Sequence, residues 1–90
     1  MPCKLDVDPE VEQDILDCDR RARLEIGNFL LALQENPLPD TRHSMGGPVF
    51  YAQLPCGFYV SWEIIGDVLH YALTGDLRGL LVRVLGVARV

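Results

Sequence analysis

Helix-patterned and strand-patterned segments are separated along this chain rather than interleaved. Up to Glu35, apolar residues recur at helical spacing. From Val49 onward they fall in short runs, over 49–54, 57–65 and 80–90. The change is marked twice, by Asn36-Pro37-Leu38-Pro39-Asp40 and by Met45-Gly46-Gly47-Pro48. Proline fixes φ and removes a donor, and glycine admits turns, so neither pattern crosses the break. Helices followed by strands imply an α+β layer pair and argue against a βαβ repeat. The expected fold is a helical hairpin packed on one face of a small, twisted antiparallel sheet, in the order strand, helix, helix, strands. Ninety residues allow one domain, 1–90, with a core near the lower limit for independent stability.

Residues 4–7 read as a short first strand with Leu5 and Val7 on one face. Asp8-Pro9 reads as a helix start, with Asp as N-cap and Pro at the first helical position. Glu10 and Glu12 follow in the first turn, where carboxylates meet the positive end of the helix dipole. Val11, Ile15 and Cys18 form an i, i+4, i+7 stripe that Leu16 widens. Opposite it, Glu10, Asp14 and Asp17 form a solvated face with no inward carboxylate to hold a metal. The polar run 17–21 allows a break. A second helix follows, with Ala22, Ile26, Phe29, Leu30 and Leu33 toward the core, stopped near Glu35 by Pro37 and Pro39. Gly27 costs this helix about 1 kcal/mol relative to Ala. It is expected to admit close approach of the sheet or of a partner helix.

The connection 37–48 carries Arg42 and His43 beside Gly46-Gly47. Two strands, 49–54 and 58–65, are joined by Pro55-Cys56-Gly57, short enough for an antiparallel hairpin. Alternation assigns Phe58, Val60, Trp62 and Ile64 to the helix side and Tyr59, Ser61, Glu63 and Ile65 to the outer side. Residues 66–79 leave strand and short helix both open. Residues 80–90 are the strongest strand, apolar on both faces, and suit a central strand or an interface edge. Arg83 and Arg89 are an even number of residues apart, which puts them on one face of a regular strand.

The net charge of −5 argues against a broad grip on nucleic acid, which draws on many Lys and Arg contacts. The acids are uneven. Beyond residue 40 only Glu63, Asp67 and Asp76 remain, against Arg42, Arg78, Arg83 and Arg89, so a local anion patch stays open there. Cys3, Cys18 and Cys56 have no Cys-x-x-Cys spacing and form neither a disulfide framework nor a zinc signature. They are expected as buried or half-buried thiols. No local motif ties His43 or His70 to a cysteine as base to nucleophile. No apolar run approaches the ~20 residues that span a bilayer, and no secretory-signal pattern opens the chain. A cytoplasmic location is expected, with no membrane partner, no metal and no cofactor.

In order and spacing, these segments resemble the RelE/ParE-like toxin superfamily of bacterial type II toxin–antitoxin systems. Leu5-Asp6-Val7-Asp8-Pro9-Glu10 matches the passage from first strand into helix. Residues 29–37 match the end of the second helix. Gly57-Phe58-Tyr59-Val60-Ser61-Trp62-Glu63-Ile64 resembles the central strand, usually Gly-Tyr-Arg-x-x-Tyr. Val82-Arg83-Val84-Leu85-Gly86-Val87-Ala88-Arg89 resembles the last strand. The likeness spans most of the chain except about 66–79, where this protein looks longer. It implies a toxin component, or a degenerate relative, that binds an antitoxin and a translation or gyrase target. The alternatives are a non-catalytic interaction domain of the same fold and an active ribosome-dependent mRNA endoribonuclease.

The departures from the family bear on which of these holds. The RNA-cleaving members carry a basic residue after the aromatic of the central strand, where this chain has Tyr59. Their loop lysines or arginines are reduced to Arg42 and His43, and the terminal basic pair to Arg89. The gyrase-directed branch lacks that constellation and fits the missing groups better. RNA cleavage needs a base for the 2′-hydroxyl, cations for the phosphorane and an acid for the leaving oxygen. The candidate catalytic set is Tyr59, Arg83, Arg89 and His43, and the candidate anion set is Arg42, Arg83 and Arg89. Each has a plainer reading: Tyr59 covering the sheet, Arg83 paired across it with Glu63, Arg89 solvated, and Arg42 and His43 simply loop residues. Trp62 reads as a core anchor. Leu81, Leu85 and Val87 of the apolar last strand are the candidate surface for an antitoxin or for a homodimer partner.

Overall fold

The computed structural model describes residues 2–90. The elements are β1 (Lys4–Val7), α1 (Pro9–Leu16), α2 (Arg20–Glu35), β2 (His43–Ser44), β3 (Val49–Gln53), β4 (Phe58–Ile65), α3 (Val68–Thr74) and β5 (Leu81–Arg89). The fold is α+β, as the segregation of patterns implies, with three helices and one five-stranded sheet in the order β1-β5-β4-β3-β2.

The helices begin where their caps dictate. Asp8 accepts the Glu10 amide at 3.0 Å and Asp19 accepts the Ala22 amide at 2.8 Å. Each side chain satisfies one of the donors that a helix start leaves free. Asp19 therefore breaks the chain within the polar run and restarts it as α2. Ala22, Ile26, Leu30 and Leu33 of α2 are buried against Val60, Trp62, Val82 and Val84 of the sheet. Trp62 is fully buried, with Phe29 edge-on at 5.5 Å and its indole N–H donated to the Pro37 carbonyl at 3.1 Å. It is the core anchor expected of it.

The sheet is mixed rather than antiparallel. β2–β3, β3–β4 and β4–β5 are antiparallel, but β1 pairs parallel with β5, Lys4 opposite Leu81 and Val7 opposite Val84. A parallel pair needs a long crossover. Here the crossover is the whole chain between β1 and β5. The same pairing makes β5 an interior strand along Leu81–Val84. β1 stops at Val7, so from Leu85 onward β5 has no strand neighbour on that side among the described residues.

Within 66–79 only Val68–Thr74 is helical: Asp67 caps α3 by accepting the His70 amide at 2.9 Å, and Gly75 ends it in the left-handed region at φ 73°. The helix adds an element to the expected order. Val68 and Tyr71 reach the core, while Leu69 and Leu73 remain exposed.

β5 is not regular. Ser61 faces Gly86 and Trp62 faces Val84, which leaves Leu85 as the extra residue of a β-bulge. Val84 and Val87 both point to the core side, opposite Trp62 and Val60. The one-residue insertion reverses the inside–outside parity of everything after it.

Candidate functional site

The outer face of the sheet, away from α1 and α2, gathers three aromatic rings. His43 on β2 lies opposite Tyr51 on β3, and their rings stack at 5.0 Å with 22° between planes. Tyr51 meets Tyr59 of β4 edge-on at 5.7 Å. Strand alternation explains the grouping: Tyr51, Tyr59 and His43 occupy outward positions on three adjacent strands. A shallow hollow beside the row is lined by Met45, Tyr51, Tyr59 and Ser61. Ser61 donates its hydroxyl to the Gly86 carbonyl at 3.4 Å. The row offers flat rings for stacking, two phenolic hydroxyls and an imidazole. Tyr51 escaped the sequence reading. Its signal was the alternation of Phe50 and Ala52 with Tyr51 and Gln53, legible once β3 has an assigned inner face.

The arginines do not join this row. Arg83 lies on the outer face, directly across from Glu63 on β4 and Asp6 on β1. Its Nε donates to Asp6 Oδ2 at 3.2 Å. The pairing with Glu63 expected from sequence is thus replaced by one with Asp6, because parallel β1 sets a second acid beside the guanidinium. Arg89 is on the other face. It lies opposite Phe58, with its guanidinium carbon 4.9 Å from that ring's centroid, a cation–π contact. The expectation that Arg83 and Arg89 share a face fails at the Leu85 bulge. Arg42 donates Nη1 to the Leu38 and Pro39 carbonyls at 3.1 and 3.0 Å, holding the connection after α2 in place.

The candidate partner surface also divides. Leu81 lies opposite Ile65 on the outer face, Leu85 is exposed at the bulge, and Val87 packs toward the core. They form no single apolar patch.

A second polar cluster sits at the turn before β5. Arg78 donates Nε and a terminal nitrogen to the two oxygens of Asp76, both at 3.0 Å, and His70 Nε2 lies 3.4 Å from Asp76. Asp76 is the partner that sequence spacing could not name for His70. The Arg78 hydrogen bonds, side chain before backbone, hold the Asp76 carboxyl well below the usual carboxylate range. The arrangement locks a turn, with the Arg78 amide also donating to Asp76 at 3.0 Å.

All three cysteines are free thiols, Cys3 buried and Cys18 and Cys56 half-buried. Burial pushes the Cys3 thiol up, and burial together with Asp19 does the same to Cys18. Neither is an activated nucleophile. Among the described residues, no three His, Cys, Asp or Glu side chains gather to hold a metal ion, and no helix is long and apolar enough to cross a membrane.

No protein-family model matches the chain, and no curated protein matches it in sequence. Among solved structures, it is similar to an arginine-to-alanine double mutant of the E. coli toxin RelE in the free state. The TM-score is 0.71 at 16% identity, over 99% of this chain and 84% of that one. The chain has a RelE-like fold.

Proposed function

We propose that this chain is a toxin-like protein, or a degenerate relative of one, that acts by binding. Its partners are an antitoxin and a translation or gyrase target, and it does not cut RNA itself. One observation carries this reading: the outer sheet face assembles His43, Tyr51 and Tyr59 while the candidate cations are engaged elsewhere. Arg83 is held by Asp6, Arg89 lies over Phe58 on the opposite face, and Arg42 serves loop carbonyls. A phosphorane carries its charge where free cations must meet it, and bound arginines meet it poorly. The aromatic row then serves as a contact surface, since tyrosine rings give large contact area at low entropic cost. The unpaired side of β5 from Leu85 onward suits an added strand from an antitoxin, with Leu85 available as its apolar anchor.

A second reading, an active mRNA endoribonuclease, is favoured by the closeness of His43 and Tyr59 to Tyr51, which places acid–base and stacking groups together. Inducible expression in a bacterial host separates the two. Growth, mRNA integrity and DNA supercoiling are followed together. The binding reading expects arrest with intact mRNA. Cut mRNA that disappears in His43→Ala or Tyr59→Phe overturns it in favour of the nuclease. Unimpaired growth favours an interaction domain that has kept the fold without the toxicity.

A further inference from the structure

Helix α2 has two faces, and only one is used within the chain. Ala22, Ile26, Leu30 and Leu33 face the core. On the opposite side, Arg20, Leu24, Gly27, Leu31 and Glu35 follow one another at i, i+4, i+7, i+11 and i+15, a single stripe at 3.6 residues per turn. Leu24 is 56% and Leu31 62% exposed, against 1% for Leu33. Gly27 lies between the two leucines, and a Cβ added there meets no atom within 4 Å. The chain's own packing therefore gives no reason for a glycine in mid-helix. Arg20 and Glu35 form no ion pair among the described residues, whereas Arg21 is paired with Glu25 along the helix.

We infer that this stripe is the contact between two copies of the chain, packed with their α2 helices antiparallel. The evidence is its internal symmetry. Arg20 and Glu35, Leu24 and Leu31, and Gly27 and Asn28 are all placed evenly about the same midpoint between residues 27 and 28. A two-fold axis there sets Arg20 of one copy against Glu35 of the other, twice. It also sets each Leu24 against a Leu31, and the two glycine notches beside each other at the crossing. A two-fold interface needs one patch that is complementary to itself, and this stripe is. Parallel packing would oppose like charges at both ends. A different protein's helix would demand no such symmetry in this one. The missing Gly27 side chain lets the helix axes approach at their crossing, which gives the glycine the purpose it lacks in the monomer. One helix pair buries less than the ~1,200 Å² of stable specific interfaces, so the dimer is reversible.

Sedimentation velocity on the purified chain, over a wide concentration series, tests this. A concentration-dependent monomer–dimer equilibrium is expected. Leu31→Glu, at an exposed position, should leave the far-UV circular dichroism and melting temperature near those of the parent while abolishing the dimer. Arg20→Glu or Glu35→Arg alone should raise the dimer dissociation constant about tenfold, since each converts two attractive pairs to repulsive ones. The double variant Arg20→Glu/Glu35→Arg should return it toward the parent value. A chain that is monomeric at every concentration overturns the inference, even if another protein is found to bind through Leu24 and Leu31. So does a dimer indifferent to Leu31→Glu, or a double variant no tighter than the singles.

Discussion

The indole N–H of Trp62 donates to the carbonyl oxygen of Pro37 at 3.1 Å, and neither residue reaches solvent. This bond fastens the middle of β4 to the segment that leaves α2. Trp62→Phe would orphan a buried carbonyl and open a void among Phe29, Phe50 and α2. The expected loss is about 2–4 kcal/mol. Urea unfolding measures it. A loss under about 1 kcal/mol would mean that the hydrogen bond and the packing matter little.

Two glycines should respond to alanine in opposite directions. Gly66 has φ of +125°, and a Cβ there would sit 2.7 Å from the Gly79 carbonyl oxygen, a backbone atom with nowhere to go. Gly66→Ala should cost about 2–4 kcal/mol from combined backbone strain and clash. Gly27→Ala, in open space on a helix, should gain about 1 kcal/mol in the monomer. Thermal melts of the two variants at low concentration give the comparison. Equal effects would contradict the different surroundings of the two sites.

Asp76 gives the turn before β5 a defined acid response. Its folded carboxyl is harder to protonate than its unfolded one, because Arg78 holds the ionised form. Its contribution is therefore present above the unfolded carboxylate value of about 4 and is lost as pH falls through the lower folded value. The Asp76 carboxyl carbon, followed by NMR, should remain in its ionised position at about pH 3.5. Asp76→Asn should speed hydrogen exchange at the Arg78 amide and remove that acid response. A carboxyl already protonated at about pH 3.5 would disprove the clamp.

The Leu85 bulge makes an unusual deletion tolerable. Removing Leu85 leaves Trp62 opposite Val84 and Ser61 opposite Gly86 with no residue to spare, so every side chain keeps its face. The deletion should cost no more than about 1 kcal/mol. Deleting Val82 instead should unfold the protein, because it shifts the core-facing residues of β5 by one. Melting curves of the two deletions decide. A Leu85 deletion as damaging as that of Val82 would show that the bulge is not a simple insertion.

Much of the fold was legible in the residues that face the core. The alternation of Val60, Trp62 and Ile64 and the spacing of Ala22, Ile26, Leu30 and Leu33 predict the buried faces of β4 and α2, and these residues are buried. Those patterns are local, and burial is a local consequence of period. Long-range relationships were not legible. The direction of β1 beside β5 depends on a crossover of the whole intervening chain, which no short window contains. α3 has only 7 residues and turns only Val68 and Tyr71 part-way into the core, too short a stripe to read from sequence, though Asp67 and Gly75 mark its ends. Arg83 and Arg89 are parted onto opposite faces by one residue, Leu85. Gly86 inside an apolar strand was the available sign of a bulge, and the even spacing of Arg83 and Arg89 concealed it. The Asp6–Arg83 pair, 77 residues apart in sequence, follows from the parallel register alone.

The pairing of the first strand with the last also sets when the fold can exist. Among the described residues, the one strand beside Lys4–Val7 is Leu81–Val84, made more than seventy residues later. β4, which carries Trp62, likewise waits for β5 to cover its other edge. A growing chain on the ribosome therefore holds α1 and α2 with their apolar faces incompletely sheltered until β5 has emerged. Contacts of such sequence separation make for slow folding and leave sticky intermediates exposed. A partner or chaperone that meets the nascent chain before β5 emerges meets a helical hairpin without its complete sheet.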